Sequence, residues 1–313
     1  MELIRGLHNL QPRHRGCVAT IGNFDGVHRG HQAVLEQMRR HAARLRLPTC
    51  VICFEPTPQE FFLGEDAPAR LSRLREKLAA FAQRNIDRAL CLRFGAALAT
   101  MEPDEFIRRI MVEGLGLKYL VVGDDFRFGR ERGGDFALLA RRGEEAGFPV
   151  EKTTTYLEDG RRVSSTRVRE ALVVGAFEQA AQLIGTPYRI CGRVAPGDRR
   201  GRSIGFPTAN IFLHRRSTPL CGVYAVKLHG VERFGLPGVA NIGLRPTVCG
   251  RRRMLEVHLF DFNRSIYGVH VEVEFFRKLR DEKKFDSLDA LKHQIALDAL
   301  AARECFDPDF RTV

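Results

Sequence analysis

The chain has no run of eighteen apolar residues and no N-terminal apolar stretch of the kind that precedes a signal cleavage site. The sequence therefore predicts neither a membrane span nor export. Internal repeats and low-complexity segments are also missing, which excludes a solenoid or a linker-dominated architecture. Cysteine is present but not patterned: eight are scattered along the chain, and the one Cys-x-x-Cys, Cys50 and Cys53, falls inside the apolar run Cys50-Val51-Ile52-Cys53-Phe54. Residues three apart on a strand point to opposite faces, so this pair is poorly placed to chelate a metal or to act as a redox dithiol. Buried reduced thiols are the reading that follows, and a cytoplasmic location is expected.

What is there suits a two-domain globular protein. With 313 residues and 44% hydrophobic content the chain exceeds the size at which one core is the default. A formal net charge of +12 implies polyanionic company. Charge alone does not separate nucleic acid from nucleotides and pyrophosphate. In the first half, strand-like segments near 17–21, 49–54, 88–92, 118–123 and 149–154 alternate with helical patterns such as that near 30–46. This predicts an α/β domain, a doubly wound parallel sheet with helices on both faces and ligands beyond the carboxyl ends of its strands. The helical pattern ends at Gly185-Thr186-Pro187, a hinge, and strand alternation takes over in Tyr188–Ala195, Gly222–His229, Arg253–Asp261 and Tyr267–Phe275. A small antiparallel β-barrel is expected there, with one helix after a Ser287 cap. The expected division is thus 1–185 and 186–313.

The stretch from Gly22 through Asn23, Phe24 and Asp25 to His28 and His31 places two imidazoles where a strand hands over to a helix. Free backbone N–H groups and the helix dipole favour an anion there, and side chains three residues apart reach the same phosphate. A metal site is the competing reading, but the further ligands of a zinc helix are absent, since no Glu follows His28. Two other strand-to-helix junctions are polar. Gly123–Arg130 contains Asp125, Phe126 and Phe128 and by composition alone reads first as a polar turn with two core rings. Val163–Arg169 gathers Ser164, Ser165 and Thr166 with Arg167 and Arg169; one hydroxyl is an N-cap, and the combination suits a leaving pyrophosphate.

In the second half, Gly197–Asn210 joins a basic glycine loop to a Pro207-Thr208-Ala209-Asn210 turn. It is not a Walker A loop, because no Lys-Ser/Thr pair follows the glycines. Thr208 and Asn210 offer oxygens two residues apart, which suits Mg2+ held between phosphates and a few such ligands. Glu256 alternates with Leu255 and Val257, so by pattern alone it points to solvent.

Gly22–Gln32 resembles the His-x-Gly-His signature of nucleotidyltransferases. The longer form, with the Gly201–Ile211 segment, Gly222–Val226, Asn241–Thr247 and Leu255–Leu259 in order, resembles the prokaryotic bifunctional FAD synthetases, which join a riboflavin kinase to an FMN adenylyltransferase. The resemblance covers essentially the whole chain. It implies ATP-dependent phosphorylation of riboflavin to FMN in the C-terminal domain and adenylyl transfer from a second ATP to FMN, giving FAD and pyrophosphate, in the N-terminal one. It also implies that His28 and His31, with Gly22, Asn23, Phe24, Asp25, Ser164, Ser165, Thr166 and Arg169, contact ATP. Asp125, Phe126, Phe128 and Phe54 would then line the adenylyltransferase flavin site. In the kinase, Gly201, Gly205, Pro207, Thr208 and Asn210 would take ATP, Thr208 and Asn210 the magnesium, Tyr224, Asn241, Arg245 and Thr247 the flavin, and Glu256 would be the general base. Thr57 stands where the family often has histidine, and Val248 where it has an aromatic. Small-molecule partners are implied, with neither nucleic acid nor membrane; monomer and weak homo-oligomer stay open.

Overall fold

A computed structural model of the chain describes residues 1–196, 205–247 and 250–306, the side chains of 244–252 excepted. Contacts divide the chain into two compact units, Met1–Pro68 with Ser72–Ser165, and Ala69–Leu71 with Thr166–Val313.

In the first unit, β1 (Glu2–Arg5), β2 (Val18–Ile21), β3 (Thr49–Glu55), β4 (Arg88–Arg93), β5 (Tyr119–Val122) and β6 (Val150–Lys152) form one parallel sheet in the order β1-β4-β3-β2-β5-β6, and the short strands β7 (Leu157–Glu158) and β8 (Arg161–Arg162) pair antiparallel. Five of the parallel strands are those expected, to within a residue or two. The sixth, β1, is four residues with charged ends, too short to show a period, and it joins the sheet at the edge beside β4. Strands covered on both faces read as continuous apolar runs. In β3, Cys50, Ile52 and Phe54 feed one core while Val51 feeds another. The second core is completed by helix α1 (Arg29–Leu45), whose Val34, Leu35, Met38 and Ala42 recur at helical spacing. The helix stops at Arg46, in the left-handed conformation at φ 56°. Cys50 and Cys53 are both buried, as expected.

In the second unit, β9 (Arg189–Ala195), β10 (Ala209–Phe212), β11 (Gly222–His229), β12 (Leu236–Thr247), β13 (Gly250–Leu259) and β14 (His270–Arg280) close an antiparallel barrel in the order β10-β13-β12-β11-β14-β9. Ile211, Leu255 and Ile242 stand opposite one another across three strands and are fully buried. The helix Leu288–Glu304 is capped by Ser287, whose Oγ accepts the Ala290 N–H at 3.1 Å. Its Ala302 packs with Val223, Ala225 and Val239.

Two barrel strands lie outside the sequence expectation. What reads as a Pro-Thr-Ala-Asn turn runs directly into β10, and β12 is masked by Pro237, Gly238, Gly243 and Pro246. Gly238 is there because backbones approach closely: a Cβ would fall 2.4 Å from the His258 carbonyl oxygen. The strands expected at 253–261 and 267–275 are displaced, to 250–259 and 270–280. The second unit also takes in the helix Phe177–Ile184, where Phe177 packs on Tyr224 and Phe275. That helix ends on Gly185 at φ 87°.

Candidate active sites

The first candidate site lies at the carboxyl end of β2. Beyond Ile21 the chain enters a loop with three residues at positive φ, Phe24 (49°), Gly26 (82°) and Val27 (39°). Such geometry is costly for a phenylalanine and more so for a β-branched valine, so it must be held by its surroundings. The holding groups are identifiable. The Asp25 carboxylate accepts the Ser72 N–H at 3.0 Å, and Ser72 Oγ accepts the Gly26 N–H at 2.9 Å. Fully buried Lys77 donates to the Asn23 carbonyl at 3.1 Å, and Gln32 Nε2 to the Val27 carbonyl at 2.8 Å. Ser165 Oγ donates to the Asp25 carbonyl at 2.9 Å, which ties the hydroxyl-rich turn to the histidine loop.

This loop delivers His28 to the N-cap of α1, where its Nδ1 accepts the His31 N–H at 3.3 Å. The neutral ring therefore carries its hydrogen on Nε2. The two imidazoles stack with centroids 3.6 Å apart and planes 16° apart. Phe24, itself buried, presses on His31 at 5.1 Å and on Phe81 at 5.4 Å. Burial first, then the neighbouring His28 imidazole and the cations Lys77 and Arg162, push the His31 pKa well below its ordinary value. Its Nδ1 is sealed from solvent with no hydrogen-bond partner. Gly30, between the two, is needed for close approach: a Cβ would meet the His28 ring and the Val163 carbonyl oxygen at 3.2 Å. The cluster can thus offer a phosphate one neutral imidazole N–H from His28, the His31 ring, and the amides of a helix start.

The remaining expected residues divide. Asp125 is exposed and, with Asp124, pairs with Arg162 at 3.0 and 2.9 Å. Phe126 is partly buried and stacks on Phe128 at 5.5 Å. Phe128 and Phe54 are core residues, 6% and 8% exposed. Both, expected at the flavin, pack in the core cluster of the first unit. Thr57 caps the helix Pro58–Leu63 in a reciprocal box with Glu60. Thr166 and Arg169 continue the helix begun at Ser165, and Arg169 Nε donates to the Ala69 carbonyl at 2.6 Å. Ser72, Lys77 and Arg162 are missed by sequence reasoning, since no local pattern links them to residues 23–31.

The second candidate site is a row across the barrel. Asn210 on β10 and Asn241 on β12 both stand opposite Glu256 on β13. Directly opposed side chains share a face, so the three form one polar row, alternate to buried Leu255 and Val257. Asn210 is 8% exposed, and its Nδ2 donates to the Thr208 carbonyl at 3.4 Å. That leaves Oδ1 as the atom a cation would meet. Glu256 is half-buried, so its expected solvent position by pattern gives way to a place between two amides. A pocket of about 220 Å³ is lined by Thr208, Asn210, Val257, Phe262, Arg264 and Tyr267. The contribution of the 262–267 loop has no sequence signal beyond polarity.

Tyr224 is 1% exposed, and its hydroxyl donates to the Cys221 carbonyl at 2.8 Å while accepting the Cys221 N–H at 2.9 Å. Expected at the flavin, this ring packs edge-to-face with Phe177 and Phe275. Gly205 takes φ 88°, and Pro207 is exposed. Gly201 and Val248 lie outside the described residues, as do the side chains of Arg245 and Thr247. No group of three or more His, Cys, Asp or Glu able to hold a metal occurs among the described residues. Hydroxyl, amide and carboxylate oxygens in a short row still fit Mg2+, which keeps waters and substrate phosphates as most of its ligands.

A strand-end imidazole pair on an α/β sheet and an oxygen-rich row on a β-barrel suit a group transferase acting on phosphates. Comparison with known proteins narrows this. Residues 10–167 match the family model of FAD synthetase, and residues 184–306 that of riboflavin kinase. Bifunctional riboflavin kinase/FMN adenylyltransferases of Escherichia coli strain K12 and Pseudomonas fluorescens are each 52% identical over 98% of this chain, covering 98% and 99% of their own lengths. That of Haemophilus influenzae is 48% identical over 98% of this chain and all of its own. A solved structure described as a macrolide-efflux protein from Streptococcus pneumoniae superposes with a TM-score of 0.79 over 97% of this chain and 99% of that one, at 29% identity. Its description is of the S. pneumoniae chain; among the described residues here no helix is long and apolar enough to cross a membrane. The chain belongs to the bifunctional riboflavin kinase/FMN adenylyltransferase family.

Proposed function

We propose that this chain converts riboflavin to FMN and FMN to FAD, each step at its own centre. What carries the reading is that each unit by itself gathers scattered motif residues into one cluster: His28, His31 and Ser165 in the first, Asn210, Glu256 and Asn241 in the second.

At the first centre an FMN phosphate oxygen attacks the α-phosphorus of ATP; the new P–O bond forms as the α–β bridge breaks and pyrophosphate leaves. His28, through Nε2–H, and His31 hold phosphate oxygens as neutral donors, with the helix N-terminus adding its dipole. Gly22, Asn23, Phe24 and Asp25 shape this loop, and Ser164 is assigned to ATP on its motif alone. Ser165 acts by holding the Asp25 carbonyl. Thr166 and Arg169 are assigned to ATP on their motif alone. Asp125 and Phe126 are the flavin-side candidates, Phe126 in preference to buried Phe128.

At the second centre Glu256 takes the proton of the ribityl 5′-hydroxyl, whose oxygen attacks the γ-phosphorus of ATP, releasing ADP. Thr208 and Asn210 would hold magnesium, which when bound neutralises phosphate charge. Asn241 orients the flavin, and Arg245 and Thr247 are assigned with it by motif, as Gly201, Gly205 and Pro207 are with ATP. We assign the two steps to 1–185 and 186–313, a division bracketed by family matches that end at 167 and begin at 184. The seven described cysteines are all free thiols, which supports a reducing, cytoplasmic setting.

The test is chromatography of flavin products from riboflavin, ATP and magnesium. His31→Ala is expected to stop at FMN. Glu256→Ala is expected to leave riboflavin unconverted yet still turn supplied FMN into FAD. Loss of both activities in either folded variant would overturn the assignment.

A further inference from the structure

We infer that His258 is a positioning residue of the kinase centre, which fixes the backbone that presents Thr208 and Asn210. The inference rests on the assignment of those two residues to magnesium and phosphate.

The backbone ladder between β10 and β13 pairs Ala209 with Val257 and Asn210 with Glu256, and goes no further toward the loop. Pro207 has no N–H to extend it. At the next place along β13 the side chain of His258 takes over, its Nδ1 lying 2.9 Å from the Pro207 carbonyl oxygen. A carbonyl only accepts, so Nδ1 carries the hydrogen, in the neutral and the protonated ring alike. The ring also packs edge-on against Phe206, centroids 5.3 Å apart. Thr208 is thereby held on both sides: the carbonyl before it by His258, and its own carbonyl by Asn210 Nδ2 at 3.4 Å. Residues 205–208 belong to no strand, so this clamp stands just where the order of β10 begins. His258 and Glu256 are two residues apart on one strand and share a face, so the base and the clamp are set by one element.

Ligand oxygens displaced by a fraction of an ångström lose charge stabilisation at the transferring phosphorus, while riboflavin binding is untouched. His258→Phe keeps a ring against Phe206 and removes the donor; His258→Asn replaces Nδ1–H by an amide N–H at nearly the same place; His258→Gln carries its amide one carbon too far. The measurement is steady-state FMN formation with magnesium titrated, alongside riboflavin binding and thermal unfolding as checks that the barrel is folded. His258→Phe is expected to lower kinase kcat about 10- to 100-fold, the cost of misplaced catalytic groups. Its KM for riboflavin should stay near the parent value, and its magnesium requirement should rise. His258→Asn should recover most of kcat and His258→Gln should not. A kcat for His258→Phe equal to the parent's, or equal activities of the Asn and Gln variants, would overturn the inference. Thr208→Ala separates it from its premise: if that variant keeps full kinase activity, the assignment of Thr208 is what fails.

Discussion

His31 shows how a single ring records its surroundings. Stacked on His28, pressed by Phe24 and near the charges of Lys77 and Arg162, it is held neutral, with burial the largest cause. The sign for stability follows from proton counting. Below the ordinary histidine pKa of about 6.5 the unfolded chain takes up a proton at this position that the folded chain refuses. The unfolded state then binds more protons, so this residue's contribution is fully present above that pH and is lost as pH falls through and below it. His31→Gln cannot titrate. Its melting temperature should fall less between pH 7.5 and 5.5 than that of the parent, as read by scanning calorimetry at both values. An equal fall in the two proteins would place the acid sensitivity elsewhere.

At the scale of elements, the loop from Gly22 to His28 joins a buried strand to an amphipathic helix by a backbone path that neither element would choose. Positive φ at Phe24 and Val27 costs on the order of 1–3 kcal/mol each. Ser72 offsets part of this with its N–H to Asp25 and its Oγ to Gly26. Ser72→Ala removes the hydroxyl and leaves the Gly26 amide unpaired. A loss of about 1–2 kcal/mol is expected in urea unfolding, and FAD formation should fall while FMN formation does not. Both rates unchanged would show that the loop holds its shape without Ser72.

The same loop marks how far the sequence can be read. The glycines and the following Val34, Leu35, Met38 and Ala42 announce a strand, a turn and a helix because all are local signals. Ser72 and Lys77 are not announced, since only tertiary packing brings them to residues 23–26. In the barrel, the alternation of β14 and β13 is legible, whereas β12 is hidden by its prolines and glycines, and β10 is four residues long. Motif membership located Tyr224, Phe54 and Phe128 but not how deeply each ring is buried, which tertiary packing decides. Glu256 is the reverse case: alternation sends it away from the core, and register then places it between Asn210 and Asn241.

For the whole molecule, the consequential point is that FMN is the product of one centre and the substrate of the other. Each cluster is complete in kind within its own half, so a chain defective at one centre should lend its product to a chain defective at the other. Equimolar His31→Ala and Glu256→Ala proteins, mixed with riboflavin, ATP and magnesium, should therefore form FAD that neither makes alone. FMN must leave the first chain and enter the second, so the rate should show a lag that shortens as total protein rises. In the unmutated protein a lag would mean release to solvent between steps; its absence, with a lag in the mixture, would mean direct passage. Failure of the mixture to make any FAD, while each variant keeps its one remaining activity, would show that FMN does not exchange between chains. Catalysis of the pair of reactions would then belong to the intact chain rather than to two independent centres.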